Sequence, residues 1–558
     1  MSRILVLGGY GGFGGRISRR LAAAGHDVVV AGRSLDKAQA FCAGDPRLHP
    51  AELDRAHVAA GLALHRPVLV IDASGPFQAM DHTVPRAAIA AGVHYCDIAD
   101  GSAFVTGITK LDEMARHAGV VVLSGASSVP ALSGAVVRGL SEGFETCTAV
   151  EMAISASNRA TAGGAVAAAI VGQVGKPFHL WRGRRQVAVF GWQDMERADF
   201  AVPGCKPLTG RSVALVDVPD VNLLPDRLPG RPSVVFRAGG ELGFQNLALW
   251  LLSWPVRWRW VGGLGTIARW LLPLQNLTRR LGSDRSGMVV RIFGTIGSRR
   301  VERRWTLIAN DGDGPEIPTL AIVPLASRIL SGSEPCGARD AGEALNLEDF
   351  APAFADLAIT DARKDVALPP PLYARIMGDS FDRLPPAVRR MHQVLRDGGA
   401  QGEAIVTGAR NRLGRLIARA AGFPPGGHYP LHVSFSEREG VERWTRRFGD
   451  RQFTSELSEV DGRLVERFGP ARFAFDLKGD EAGLRMVMRQ WSIFGLRLPL
   501  SWAPRSPARE WEEDGAFRFD VPISLPLVGR IVHYRGTLRP IIPQTDVAHS
   551  EKQFHSTG

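Results

Sequence analysis

Cysteine is scarce. The 558 residues include only five, Cys42, Cys96, Cys147, Cys205 and Cys336, an odd number with no C-x-x-C pair. That excludes a disulfide-built scaffold and a cysteine zinc site, and it fits a reducing compartment. Lysine is scarcer still for a basic chain: of 67 basic residues seven are lysine, which leaves sixty arginines. The net charge of +11 is therefore arginine dispersed through an Ala- and Gly-rich sequence. No basic stripe alternates with aromatics and no helix-turn-helix or finger motif occurs, so no nucleic-acid partner is expected. Long apolar runs are missing too. None reaches the ~18 uncharged residues of a membrane span. The run Ile4–Leu7 ends in glycines too early for a signal peptide. These features predict a cytoplasmic protein, with membrane contact limited to the periphery. Fourteen histidines form no H-E-x-x-H. His428 and His432, on one face of a predicted strand, supply two ligands only, so no metal is expected. The absence of G-x-S-x-G leaves hydrolase chemistry without support.

At ~100–200 residues per domain, the length leaves room for several domains. Over 1–145, short β-branched runs (Ile4–Leu7, Val28–Ala31, Val68–Ala73, His94–Ile98, Val120–Leu123) alternate with helical stretches. That is the pattern of an α/β domain, a Rossmann-type doubly wound parallel sheet. Residues 146–317 carry longer amphipathic strands, predicting an α+β second domain with a mixed sheet. A linker is expected at 361–371, ending in three prolines. Residues 372–543 open with helices and continue as period-2 strands. Tyr429, Leu431, Val433 and Phe435 alternate with polar residues, as do Phe517, Phe519, Val521, Ile523 and Leu525. A C-terminal α+β domain with a curved antiparallel sheet over something apolar is predicted. Residues 544–558 are polar and expected to be disordered.

Gly9-Tyr10-Gly11-Gly12-Phe13-Gly14 fits G-x-G-x-x-G, directly after a predicted strand and opening a predicted helix. In this motif Gly9 allows the tight turn, Gly11 lets the backbone approach a pyrophosphate, and Gly14 lets helix and strand pack closely. The free N–H groups of the helix start face the phosphates. An NAD site places an acid at the end of the second strand, ~20 residues on. Here Arg33 stands there, nineteen residues after Gly14, followed by Ser34. A guanidinium and a hydroxyl suit a 2′-phosphate, so NADP is expected over NAD.

Other candidates lie at the carboxyl ends of later strands. Ala73, Ser74, Gly75 and Pro76 are placed to line the nicotinamide ribose, or to form an ordinary crossover turn. Asp97 and Tyr95 are the candidate acid/base pair, with a capping or turn carboxylate as the equal alternative for Asp97.

Gly9–Gly14, Ala31-Gly32-Arg33-Ser34, Asp72-Ala73-Ser74-Gly75-Pro76-Phe77, Gly92–Ile98 and Gly125–Pro130, in this order, resemble the saccharopine dehydrogenase-like (saccharopine reductase-type) oxidoreductases. The resemblance covers about residues 1–360 and implies an NADP-dependent oxidoreductase. Gly314-Pro315-Glu316-Ile317-Pro318 is similar to the segment that returns that family's chain to its first domain, which implies that 318–360 rejoin it. Residues 370–543 resemble a bacterial domain of unknown function. The matching pieces include Arg443–Phe448, Glu466–Pro470, Pro526–Gly529 and Tyr534-Arg535-Gly536.

The substrate suggested by the residues is apolar rather than a tricarboxylate. Residues 247–274 hold Trp250, Trp254, Trp258, Trp260 and Trp270 among leucines, interrupted by arginines and Pro255. An interfacial element or an apolar substrate lid fits this pattern, as does a core helix. Hydride transfer to or from a small, lipid-like molecule follows, with peripheral membrane contact through Trp250, Trp254, Trp258 and Trp260. The alternative is a non-catalytic NADP-binding protein whose last domain carries a lipid or membrane ligand.

Overall fold

In a computed structural model, residues 2–160, 164–264 and 278–541 are described. The expected disordered tail 544–558 and Trp270 of the tryptophan segment lie outside them.

β-branched strands with no polar face must be covered on both sides. That is how the first unit is built. Seven parallel strands run in the spatial order Gly337–Asp340, Val121–Ser124, His94–Asp97, Leu69–Asp72, Arg3–Leu7, Asp27–Gly32, Leu48–Glu52. The order reverses between Arg3–Leu7 and Leu69–Asp72, where ligands of such sheets bind. Gly337–Asp340 pairs with Val121–Ser124, so the chain returns here after the second unit.

The second sheet is mixed, in the order Glu196–Phe200, Leu208–Leu215, Ser233–Gly240, Thr146–Ala156, Ser286–Ile296, Arg299–Ala309, Ile359–Ala367. Its last strand corrects the expected linker. Ile359–Ala367 pairs antiparallel with Arg299–Ala309 along nine residues, so only 368–371 connect the units. The charged residues Asp361, Arg363, Lys364 and Asp365 belong to an edge strand, where charge discourages further pairing.

The third unit takes its predicted curvature to closure. Ten antiparallel strands between Asp397 and Pro540 form a ring, joined where Ala471–Asp480 pairs with Gly483–Ile493. Closure removes the sheet edges and gives every alternating apolar face one destination, the interior. Leu431, Val433, Phe473, Phe475, Phe517 and Phe519 all line it. The apolar side points inward, the reverse of a membrane-spanning barrel. Helices Leu372–Met377 and Pro386–Met391 plug one end, with Leu372, Tyr373, Leu384 and Val388 buried in the core.

The barrel is fastened to the second sheet through buried charge. Glu151 accepts from Arg396 Nε at 2.7 Å and Nη2 at 2.5 Å, and Arg291 and Arg438 stand at 3.6 and 3.5 Å. Asp397 accepts the Gly183 N–H, and His432 Nε2 bonds the Gly183 carbonyl.

Candidate functional site

The glycine loop is a tight crossing of backbones. Gly9 donates to Ala31 O and Gly11 to Gly8 O. A Cβ on Gly14 would stand 2.1 Å from Gly8 O, and one on Gly9 would stand 2.8 Å from Val6 O. Gly9 is therefore a packing glycine. The left-handed turn falls one residue earlier than expected, at Gly8 with φ +71°. The spacing motif does not include that position, so it does not reveal it.

Helix Gly12–Ala23 follows, with no side chain capping it and no acid in its first turn. By helix geometry the N–H groups of Gly12, Phe13 and Gly14 lack partners in their own helix, and they carry the positive end of its dipole. A Cβ on Gly11 would stand 3.0 Å from Gly8 O. Bare backbone is thus presented where a diphosphate would lie. A groove of about 370 Å³ opens beside it, lined by Tyr10, Gly11, Gly12, Arg16 and Phe41.

Tyr10 ties this loop to the second strand. Its hydroxyl accepts the Ser34 N–H at 3.0 Å, and its ring packs where a side chain on Gly32 would sit. Ser34 Oγ accepts from Lys37 N–H and so caps helix Leu35–Cys42. Arg33 directly precedes this cap, at the end of the second strand. It is exposed and forms no hydrogen bond or ion pair among the described residues.

At the end of the fourth strand the backbone of Ala73 and Ser74 closes on Gly8, within 3.1 Å of where a Cβ there would lie. The Ser74 hydroxyl is already engaged. It donates to Asp72 Oδ1 at 2.5 Å and accepts from Arg55 Nη1 at 3.2 Å. Arg55 also pairs with buried Asp72 at 2.5 Å. Ser74 therefore shapes the crossover through Asp72 rather than offering a free hydroxyl. Gly75 and Pro76 continue that turn, and Phe77 is buried against Phe104. Arg55 is the residue sequence reasoning missed here, because the Arg55–Asp72 pair joins separate elements.

Asp97 and Tyr95 are corrected. Both are fully buried, so neither reaches a substrate. Tyr95 Oη lies 3.5 Å from Asp72 Oδ2. Asp97 Oδ1 accepts from Ala99 N–H, Gly125 N–H and Ser124 Oγ at 2.8 to 3.0 Å. It is a turn carboxylate that joins the loops after the fifth and sixth strands. Burial raises its carboxyl to about 7, against the lowering effect of those hydrogen bonds. The native protein thus keeps a proton that the unfolded chain releases near pH ~4. Stability from this group is complete below that value and is lost as pH rises toward 7. In Asp97→Asn this slope between pH ~4 and ~7 is expected to flatten. Urea unfolding at both ends of the window measures it, and an unchanged slope would refute the assignment.

Across the seam, the second unit brings in an acid that is only half-buried. Burial raises Asp217 to about 6, while a hydrogen bond from Ser102, just beyond the fifth strand, opposes the shift. Gln173 holds the Asp217 backbone on both sides, at 2.9 and 3.1 Å. Asn222 fixes the Ser102 hydroxyl at 2.8 Å. A half-buried acid near neutrality can both hold and release a proton.

Helix Gly243–Arg257 buries only Asn246, Ser253 and Val256. Trp250, Trp254, Trp258 and Trp260 stack in a ladder with centroids 5.8, 5.4 and 4.8 Å apart. Trp258 and Trp260 are exposed, with Phe244, Leu247 and Leu251 beside them. One side of the helix packs on the core through Val256, Leu249 and Leu252, and the other is exposed. Among the described residues no helix is long and apolar enough to cross a membrane, and no group of side chains is arranged for a metal.

A reversed-order parallel sheet with a bare glycine loop at its switch point defines a dinucleotide-binding α/β fold. More particularly, residues 4–123 match the family described as the saccharopine dehydrogenase NADP binding domain. Residues 384–538 match a second family model, a domain of unknown function (DUF4166). Apo saccharopine dehydrogenase (L-Glu forming) from Saccharomyces cerevisiae is similar at 13% identity and a TM-score of 0.45, over 66% of this chain and 100% of that one. Homospermidine synthase from Legionella pneumophila, in complex with NAD, is similar at 11% identity and a TM-score of 0.43, over 65% of this chain and 91% of that one. No curated protein matches the chain.

Proposed function

We propose that this chain is an NADP(H)-dependent oxidoreductase with an apolar, lipid-like substrate. The observation that carries the cofactor choice is Arg33, exposed and unpartnered among the described residues, at the end of the second strand beside the Ser34 cap. Bound NADP(H) would supply or accept the hydride. The chain's own part is binding and positioning. The first-turn N–H groups would hold the diphosphate, and Arg33 the 2′-phosphate. Ser34 acts through the helix it caps, so Arg33 bears most of the preference. Asp217 would exchange the proton that accompanies hydride transfer. The exposed Trp258 and Trp260, with Leu247 and Leu251, favour an apolar substrate and contact with a lipid surface.

A hydrogen bond to a charged group is worth ~1.5–3 kcal/mol. Arg33→Ala is therefore expected to weaken NADPH binding about ten- to hundredfold and leave NADH nearly unchanged. Fluorescence titration of both cofactors checks this. Equal NADPH affinity in the two proteins removes the NADP assignment.

A further inference from the structure

The barrel has two unlike ends. At the end plugged by helices Leu372–Met377 and Pro386–Met391, the strand turns carry Glu439, Asp461, Glu481 and Asp514. That end adjoins the rest of the protein through Arg396 and Arg438. The opposite end is closed by two segments, 409–426 and 494–506. Together they contain six arginines and no acid: Arg410, Arg412, Arg415, Arg419, Arg497 and Arg505.

The first segment holds helix Arg412–Ala420, laid across the mouth. Asn411 Nδ2 donates to Val528 O, and Ile417 faces the interior. The second runs from the corner at Phe494, which donates to Pro470 O, to Arg505, which bridges Ser524. Large apolar side chains point outward here: Leu413, Leu416, Phe494, Leu496, Trp502 and Leu527. Phe494 is 83% exposed and Leu527 fully so, which no packing role in the barrel explains. Apolar side chains ringed by arginine at one end form the pattern of an interfacial anchor for anionic lipid.

Behind this face lies a cavity of about 250 Å³. Its wall is aromatic and aliphatic, interrupted by Arg446 and Glu466. Arg446 is held by Ser455 Oγ at 2.9 Å and stands 3.9 Å from Glu466, too far for a tight pair. Glu510, also on the wall, is taken by His392 at 2.6 Å. A slender chain with a small polar head suits such a space better than a compact polar molecule.

We propose that this end of the barrel docks on an anionic lipid bilayer, and that the interior receives the hydrocarbon chain of a lipid taken from it. The site is separate from the dinucleotide site and does not depend on hydride transfer. Full-length protein is floated with phosphatidylcholine vesicles with and without phosphatidylglycerol. Association with the anionic vesicles alone is expected. Leu413→Ser/Leu416→Ser/Leu527→Ser should lower it at least tenfold, and Arg412→Glu/Arg415→Glu should do likewise, since each surface arginine is worth about fivefold. Val460→Ser, an exposed apolar residue at the acidic end, should leave it unchanged. No association, or loss only on Trp258→Ser/Trp260→Ser, overturns the docking face. For the interior, cis-parinaric acid should gain fluorescence with the full-length protein, be displaced by oleate, and lose the gain in Met488→Trp, which fills the cavity. No gain, or a gain unaffected by Met488→Trp, overturns the cavity assignment.

Discussion

Gly14→Ala is expected to abolish measurable dinucleotide binding and to lower the stability of the first unit. A Cβ at this position meets Gly8 O at 2.1 Å and Gly8 C at 2.8 Å. Both are backbone atoms of a turn that is itself left-handed, so no side chain can swing away. The start of helix Gly12–Ala23 must retreat from the strand, taking with it the N–H groups that would meet the phosphates. Overpacking of this kind costs ~1–3 kcal/mol. Gly11→Ala separates fold from site. Its Cβ would stand 3.0 Å from one atom, Gly8 O, so the fold should survive with little loss. The methyl group would instead occupy the approach to the diphosphate. Both variants should lose NADPH fluorescence enhancement, and only Gly14→Ala should lower the melting temperature. A Gly14→Ala protein that binds NADPH normally would refute the loop assignment.

Glu151→Ala is expected to cost about 3–5 kcal/mol, the loss typical of breaking a buried ion pair from one side. Three arginines converge on this one acid: Arg396, Arg438 and Arg291. Burial opposes ionisation of Glu151, yet the arginines, Arg396 foremost, hold its carboxyl down at about 2. A group depressed in this way stabilises the native state above its unfolded value, near pH ~4.3. That stability is lost as pH falls toward 2. Glu151 lies on the second sheet and Arg396 begins the barrel, so the damage should fall on the junction. Calorimetry should show the barrel unfolding apart from the other two units in the variant and together with them in the unaltered protein. Glu151→Gln, which preserves shape without charge, should do nearly as much harm. A melting curve unaltered by either substitution would show that the junction does not depend on this charge.

Glycine spacing, strand periodicity and the position of Arg33 are local properties, and they sufficed for the first unit and for the dinucleotide loop. The same periodicity foretold the inward apolar faces of residues 427–525. It could not foretell that the sheet closes, because closure depends on the first strand, Asp397–Gly408, pairing with the last, Gly529–Pro540, so that Ala400 meets Pro540. Residues 361–367 looked like part of a linker because charged edge strands and linkers share composition. Asp97 looked catalytic because position at a strand end does not reveal burial. Once the chain folds, two backbone N–H groups and Ser124 claim one of its oxygens.

The sequence by itself determined the parallel α/β unit and its glycine loop, since strand–helix alternation and glycine spacing are local patterns. Tertiary structure alone decided which acids are accessible, that Arg55 pairs with Asp72, that three arginines share Glu151, and that exposed apolar side chains and arginines gather at one end of the barrel. Those features arise from contacts between residues tens to hundreds of positions apart. Burial and pairing there depend on which elements meet in space, and no local pattern encodes that.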